Sequence, residues 1–579
     1  MALLPLLITC LLASALTADD FYWYKDSVVY QVYVRSFQDS DGDGIGDLKG
    51  VIQRADYLQS LGIGAIWLSP IYASPNYDYG YDISDMDNVN PEYGTLEDFN
   101  ELVKAMNARG IRVMMDFVPN HTSSKHKWFI ASEARNDTDE KYSDFYVWQD
   151  PSGYDSNNKP QPPNNWLSNM GTGTAWEWSE KRKQFYLHSF LVEQPDLNYA
   201  NPVVREKMND VLKLWMSRGV SGFRMDAVSS IYDNLACGNE PPSDNPNPHN
   251  PYDIKNLKHI CTIDQPETYD IIKEFRKTLD TFQDKTGKKE AKLMMTESYS
   301  DFDAVVKYYG DKKSPGSTFP FNFFFIADLN QGSKTSEWAT IIKQWVNLIN
   351  EDKWPNWVLG NHDMHRPASR FSDEWVDVLH MMVMTLPGTV LNYYGDELGL
   401  EDAYVRYDEG RDLQGIRAGP NGFAAMSRDF QRGPMPWKAT HNGGFSTGKP
   451  WLPLAPSFWS RNVENESSRN NKRSHLNVYK TLVQLRKKQT MTDGSTEIQA
   501  SDEGLIIITR VLKNNPTMFT VLNIGDFEIT ADLSKFRNSL PSTLKMVVSS
   551  YNFPETKSVK SSNVYLPPKS GVVLVSYSD

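Results

Sequence analysis

The 579-residue chain predicts a (β/α)₈ barrel with an inserted domain and a C-terminal antiparallel β-sandwich. Three observations carry that expectation. From Val28 onward, short β-branched or aromatic runs alternate with amphipathic helical segments, the pattern of βα units around a parallel sheet. Eight such runs occur, at 28–34, 65–68, 112–117, 222–226, 292–297, 318–324, 357–359 and 389–393. After about Thr490 the pattern changes to strands alone, at 505–512, 518–523, 544–549 and 572–577.

The elements follow in order. Residues 1–18 read as a signal peptide: an apolar run from Leu3 to Leu16 ends among small residues before Asp19, with Ala13-Ser14-Ala15 or Ala18 as cleavage site, and a buried N-terminal helix as the alternative. The barrel takes residues 19–120 and 195–490. Its logic is plain at 202–217, where Asn201 can cap a helix, Pro202 fits the first turn, and Val204, Met208, Val211, Leu212 and Trp215 share one face. Residues 121–194, rich in Asn, Pro, Gly, Trp and Tyr, are far longer than a βα loop of about 2–6 residues and predict an inserted domain over the barrel mouth. A second excursion at 397–451 predicts another wall of the same cleft, and residues 491–579 form the sandwich.

Composition narrows the function. A net charge of −13 without a Lys/Arg stripe argues against a nucleic-acid partner and suits a neutral ligand. The 16 Trp and 29 Tyr offer faces for sugar rings, although core filling accounts for most of them. After the leader no apolar run reaches the ~18 residues of a membrane span, and the C-terminus lacks the spacer and apolar tail of a lipid anchor. Cys10 lies in the leader, leaving Cys237 and Cys261, which an oxidising compartment would pair as a disulfide; two unpaired buried thiols are the alternative.

Three strands end in an acid: Asp226 in Gly-Phe-Arg-Met-Asp, Glu297 in Met-Met-Thr-Glu-Ser and Asp363 in Leu-Gly-Asn-His-Asp. Any one alone suits a structural role equally well. Three on the C-terminal ends of barrel strands converge on one mouth. Cleaving a glycosidic bond needs one carboxyl group to protonate the leaving oxygen and a second across the sugar to attack carbon or to activate water, the separation deciding which.

The segments Asp116-Phe-Val-Pro-Asn-His121, Gly222-Phe-Arg-Met-Asp226, Glu297-Ser and Asn361-His-Asp363 resemble, in order and position, the four signature regions of the α-amylase superfamily, glycoside hydrolase family 13. Gln194-Pro-Asp-Leu-Asn198 resembles the extra signature of its oligo-1,6-glucosidase branch, and Ser427-Arg-Asp429 to Pro436-Trp437 a landmark of its α-glucosidases, the secreted insect maltases among them. The likeness runs through nearly the whole mature chain.

The resemblance implies Asp226 as nucleophile, Glu297 as acid/base and Asp363 as transition-state stabiliser. It makes Arg224, on the same side of its strand as Asp226, the group that keeps Asp226 ionised, with Asp116 bracing Arg224. His121 and His362 would bind sugar hydroxyls. Asp78 and Tyr81, with Arg432, would close the pocket behind a terminal glucose, so that single glucoses are removed; Arg428 competes with Arg432, because Asp429-Phe-Gln, Gly433 and Pro436 depart from the family wording. Ala227, small where α-1,6 specialists carry Val, implies α-1,4 preference.

Asp39-Ser-Asp41-Gly-Asp43-Gly-Ile-Gly-Asp47 sets acids at alternate positions with glycines that allow a tight wrap, as a structural Ca²⁺ would need. It is no EF-hand, since Gly50 stands where the bidentate Glu would be, and an acidic solvated turn is the alternative. The resemblance supports Asp39, Asp41, Asp43 and Asp47, with the Ile45 carbonyl, as ligands. Asn136 and Asn465 are sequons in polar stretches and candidate glycan sites, whereas Asn120 sits at a strand end, where burial would leave it unmodified.

The expected activity is therefore that of a secreted, retaining exo-α-glucosidase acting on maltose-like or sucrose-like oligosaccharides without an organic cofactor. Its rivals are a transglucosidase or sucrose isomerase of the same fold, and a non-catalytic receptor or transporter-heavy-chain relative.

Overall fold

The computed structural model describes residues 22–576 except 136–140, 172, 246–250, 283–289, 469–472, 538–539 and 555. The signal-peptide segment and the sequon Asn136 lie outside the described residues.

Eight parallel strands form one sheet: β1 (Val28–Val32), β2 (Ala65–Leu68), β3 (Arg112–Phe117), β4 (Gly222–Met225), β5 (Leu293–Thr296), β6 (Phe319–Pro320), β7 (Asn356–Val358) and β8 (Thr389–Tyr393). Neighbours pair in the order β6-β5-β4-β3-β2-β1-β8-β7. The seam between β6 and β7 is closed by a side chain: Asn356 donates through Nδ2 to the Pro320 carbonyl at 2.6 Å and accepts at Oδ1 from the Asn322 amide at 2.9 Å. All four residues of β2, β4 and β5 are buried, as expected of strands covered on both faces.

Strands β1, β4, β5 and β6 are shorter than expected. Residues 318–324 yield only Phe319–Pro320, because Pro320 has no N–H for a ladder and a helical turn begins at Phe324. Residues 33 and 34 leave β1 early, Val34–Phe37 turning into a helix. The helix Pro202–Ser217 forms as read, with Asn201 accepting from the Val203 amide and Trp215 donating to the Met86 carbonyl at 2.8 Å.

After β3 the chain builds a small antiparallel sheet from Trp148–Gln149, Trp176–Ser179 and Gln184–Leu187, with its own core around Trp166, Trp176, Phe185 and Leu187. Cys237 and Cys261, from the loop after β4, join that core and form a disulfide. The excursion after β8 has a core of Ala403, Val405, Phe423 and Leu452.

The C-terminal strands β9 (Ser495–Ala500), β10 (Leu505–Val511), β11 (Thr517–Asn523), β12 (Thr543–Ser549), β13 (Ser558–Lys560) and β14 (Ser570–Ser576) form an antiparallel sheet in the order β9-β10-β11-β14-β12-β13, with a two-stranded ribbon, Ile529–Ala531 and Val564–Leu566, closing its outer face. Alternation divides its side chains: Leu505, Ile507, Phe519, Val572 and Leu574 fill the sandwich, while Ile506, Ile508, Met518, Val573 and Val575 join the barrel core. No described helix is long and apolar enough to cross a membrane.

Candidate active site

The ends of β3, β4 and β5 and the loop after β7 meet at a cavity of about 820 Å³, lined among others by Asp78, Tyr81, His121, Asp226, Glu297, His362, Asp363 and Arg428. Arg224 is its organiser. Buried on β4 under the rings of Trp67 and Tyr81, this guanidinium donates through Nη1 to Asp116 Oδ1 at 2.9 Å and to Asp226 Oδ1, and its Nη2 lies 2.6 Å from Glu297 Oε1. Two-residue spacing puts Arg224 and Asp226 on one side of the strand. Asp116 also accepts from the Trp67 indole at 3.2 Å and the Tyr81 hydroxyl at 3.1 Å, so it is a brace rather than a reacting group.

Directly after Asp226 the chain turns at Ala227, whose φ of 47° aims its N–H at Glu297 Oε2, 2.9 Å away. A β-branched residue would be strained at this backbone setting, a local reason for a small side chain there.

Burial sets the protonation states. It pushes Glu297 up to about 8 against the pull of Arg224, with Asp226 and Asp363 adding repulsion. Asp226 is raised to about 7 by burial, which the neighbouring Arg224 opposes. Two such acids sharing a hydrogen bond titrate as a pair, which burial holds above the usual carboxylate range. Asp363 differs. Burial would raise it, but His362, Arg432, Arg428 and Arg224 outweigh that and hold it well below the usual carboxylate range.

His362 accepts from the Gln31 amide at Nδ1, 3.0 Å, so its proton sits on Nε2, 3.2 Å from Asp363 Oδ2. Its ring stacks on Tyr81 with centroids 5.1 Å apart. Burial lowers it and His121, the latter to about 4, so both are neutral hydrogen-bonding groups. His121 Nε2 lies 3.0 Å from the Tyr81 carbonyl, which ties β3 to the loop that carries Asp78 and Tyr81.

The closed end of the pocket departs from expectation. Arg428, not Arg432, lies beside Asp78, with Nη2 at 2.6 Å from Asp78 Oδ1 and 2.7 Å from Asp412 Oδ1. Arg432 is fully buried behind the cavity wall, where it donates to the His362 carbonyl at 2.9 Å and to Asp363 Oδ1 at 3.1 Å. Asp412, which no sequence motif marks, explains the exchange: it also accepts from the Arg428 amide and Nε and so draws that side chain to the pocket floor. Gln194, which opens a sequence motif without a role of its own there, joins the same corner; its amide donates to Asp78 Oδ2 at 3.1 Å. Lysine at 428 cannot bridge Asp78 and Asp412 with one planar fork. Arg428→Lys is therefore expected to raise KM for a glucoside by about ten-fold or more, measured by steady-state kinetics.

A family model described as "Alpha amylase, catalytic domain" matches residues 31–494. The chain belongs to the α-amylase family. Among its relatives, Maltase 1 of Drosophila virilis is 42% identical over 565 residues, spanning 96% of this chain and 87% of that one. Salivary alpha-glucosidase of Aedes aegypti is 40% identical over 576 residues, spanning 98% and 97%. Among solved structures, the trehalulose synthase of Pseudomonas mesoacidophila MX-45 superposes with a TM-score of 0.82 at 28% identity, covering 96% of this chain and 99% of that one. As a member of the α-amylase family, the chain brings Asp226, Glu297 and Asp363 to one cavity.

The acidic loop lies outside that cavity. Carboxylate oxygens of Asp39, Asp41 and Asp43 fall within 4.8 Å of one another, and Gly42 and Gly44 take positive φ to let the chain wrap. An all-oxygen donor set of this kind fits a hard cation. Asp47 stands apart from the three: its oxygens accept from Ser40 N, Ser40 Oγ and Gly50 N, the last capping the helix Leu48–Gln53. The Ile45 amide donates to Asp43 Oδ1 at 2.7 Å. The loop is tied to the end of the cleft wall, with Ser446 Oγ donating to Asp39 Oδ2 and Trp451 N donating to the Gly44 carbonyl at 3.0 Å. Asn120 is buried with its amide 3.0 Å from Asp196, and Asn465 sits half-buried in the helix Val463–Ser468, its amide donating to the Trp459 carbonyl.

Proposed function

We propose that this protein is a retaining α-glucosidase that removes terminal, non-reducing α-linked glucose from short sugars. The observation that carries the reading is one buried guanidinium gathering Asp116, Asp226 and Glu297, at the base of a pocket whose far end is closed by Asp78 and Arg428.

The chemistry follows from the site. Glucose enters with its ring hydroxyls toward Asp78, Arg428, His121 and His362, and its anomeric carbon above Asp226. Ionised Asp226 attacks that carbon as protonated Glu297 gives its proton to the glycosidic oxygen, so the C–O bond to the leaving sugar breaks and a glycosyl ester forms. Asp363, held ionised, stabilises the positive charge that builds on the ring. Glu297, now a carboxylate, takes a proton from water, whose oxygen attacks the anomeric carbon and releases Asp226. Two carboxyl groups that share one guanidinium and a hydrogen bond with each other favour the retaining route over an inverting one, which needs a gap of about 6.5–9.5 Å.

Purified protein assayed for glucose release from maltose, isomaltose, sucrose and trehalose tests the reading, with maltose expected to be the best substrate. Stoichiometric glucose supports hydrolysis; isomerised or longer sugars as main products would move the assignment to the transfer enzymes that the trehalulose synthase exemplifies. A non-catalytic role is disfavoured by the complete set of ionisable groups. The leader-like N-terminus and the salivary relative support secretion, and with it a glycan on Asn136 or Asn465.

For the acidic loop the reading is a structural Ca²⁺ held by Asp39, Asp41, Asp43, Asp47 and the Ile45 carbonyl, Asp47 also capping the helix Leu48–Gln53. Bound there, the ion would offset the mutual repulsion of these carboxylates and brace the cleft wall through Ser446 and Trp451. Chelation is expected to lower Tm by several degrees, and Asp41→Asn to abolish that sensitivity. A thermal melt unchanged by both chelator and added calcium would remove the ion from the account.

A further inference from the structure

The cavity is larger than one hexose fills, so its outer part must receive whatever the glucose is attached to. Most polar side chains there are exposed or already engaged: Lys255 faces solvent, and the Tyr299 hydroxyl accepts from Asn361 at 3.1 Å. His365 is different. It lines the cavity two residues beyond Asp363, its ring half exposed, with Nδ1 2.6 Å from Asp402 Oδ2.

That contact fixes the imidazole. Asp402 accepts from Nδ1 and, with its other oxygen, from the Arg366 amide at 2.9 Å. Its own amide donates to Ser369 Oγ. The His365 carbonyl accepts from Arg370 Nε at 2.9 Å, and Asn361 Oδ1 accepts from the amides of Asp363 and Met364. Backbone and ring are therefore both pinned, while Nε2 has no protein partner among the described residues. A fixed, half-exposed ring on the wall of the cavity that holds Asp226 and Glu297 is a preorganised recognition group.

We propose that His365 is a specificity-determining residue, its Nε2 hydrogen-bonding a hydroxyl of the leaving sugar, with Asp402 as its positioning residue. The site then prefers α-glucosides whose leaving group is itself a polyhydroxylated ring over those whose leaving group is apolar. This rests on the hydrolytic reading above and names the leaving-group side of that same site.

The test compares kcat/KM for maltose with that for 4-nitrophenyl α-glucoside, whose leaving group carries no hydroxyl besides the one released. In His365→Ala the maltose-to-nitrophenyl ratio is expected to fall ten-fold or more. His365→Gln, which keeps a donor, should recover most of the ratio, and Asp402→Asn should lower it by a smaller factor. A ratio unchanged in His365→Ala, whether both substrates slow equally or neither slows, overturns the proposal. If the parent enzyme cleaves neither substrate, the hydrolytic reading fails and this inference with it; if it cleaves both, the ratio judges His365 alone.

Discussion

Asp226→Ala is expected to fold as the parent does and to lose on the order of 10⁴-fold or more in kcat, because no other side chain of the cavity is placed to form the glycosyl ester. The fold should survive for a specific reason. Arg224, fully buried, keeps Asp116 as its charge partner and Glu297 as a neighbouring oxygen when Asp226 is gone, so no uncompensated cation is left inside. Circular dichroism and Tm check the first half, and glucose release from maltose the second. A variant as active as the parent would overturn the assignment of the nucleophile.

Glu297→Gln separates the two halves of the reaction. Glutamine cannot protonate the leaving oxygen, so turnover of a sugar-linked substrate should fall by about 10³-fold, and less for a leaving group acidic enough to depart unaided. The pH profile supplies a second readout. The pair must hold one proton, on Glu297, with Asp226 ionised. Activity is therefore lost on the alkaline side as rising pH takes that one proton from the pair, and on the acid side as falling pH adds a second, both steps shifted upward from the ordinary carboxylate range by burial. In Glu297→Gln the alkaline limb of kcat/KM should disappear while an acid limb remains. A parent profile that stays flat to pH 10 would contradict the role given to Glu297.

The parts of the molecule legible in sequence were those governed by short-range rules. A β-branched run ending in an acid locates Asp226 and Glu297, because strand alternation and the barrel's polarity then decide where the carboxylates point. Arg224 follows from its spacing. The sequence offered both Arg428 and Arg432 for the pocket end but not the choice between them, since that depends on Asp412, sixteen residues upstream in an excursion with no periodic pattern. Asp47 carried a second readable signal beside the alternating acids: an Asp directly before an apolar residue and three before Gly50 is also a helix cap. The shortness of β6 was visible too, in Pro320, which cannot donate to a ladder. His365 stood beside a recognised motif with nothing to mark it, because its meaning comes from Asp402, 37 residues away.

The sheet β9 to β14 is apolar on both faces, and one face is shared with the barrel. Arg510 of β10 donates to the Thr385 carbonyl, and Arg486, on the helix before the sheet, donates to the Met384 carbonyl. The helix they reach, Trp375–Thr385, is buried at every position. A truncated chain ending near residue 490 would strip cover from that helix and expose a greasy flank to water. Such a fragment should precipitate rather than work as a minimal enzyme, and the intact chain should melt in one step, residues 491–579 acting as a wall of the catalytic body rather than as an appendage.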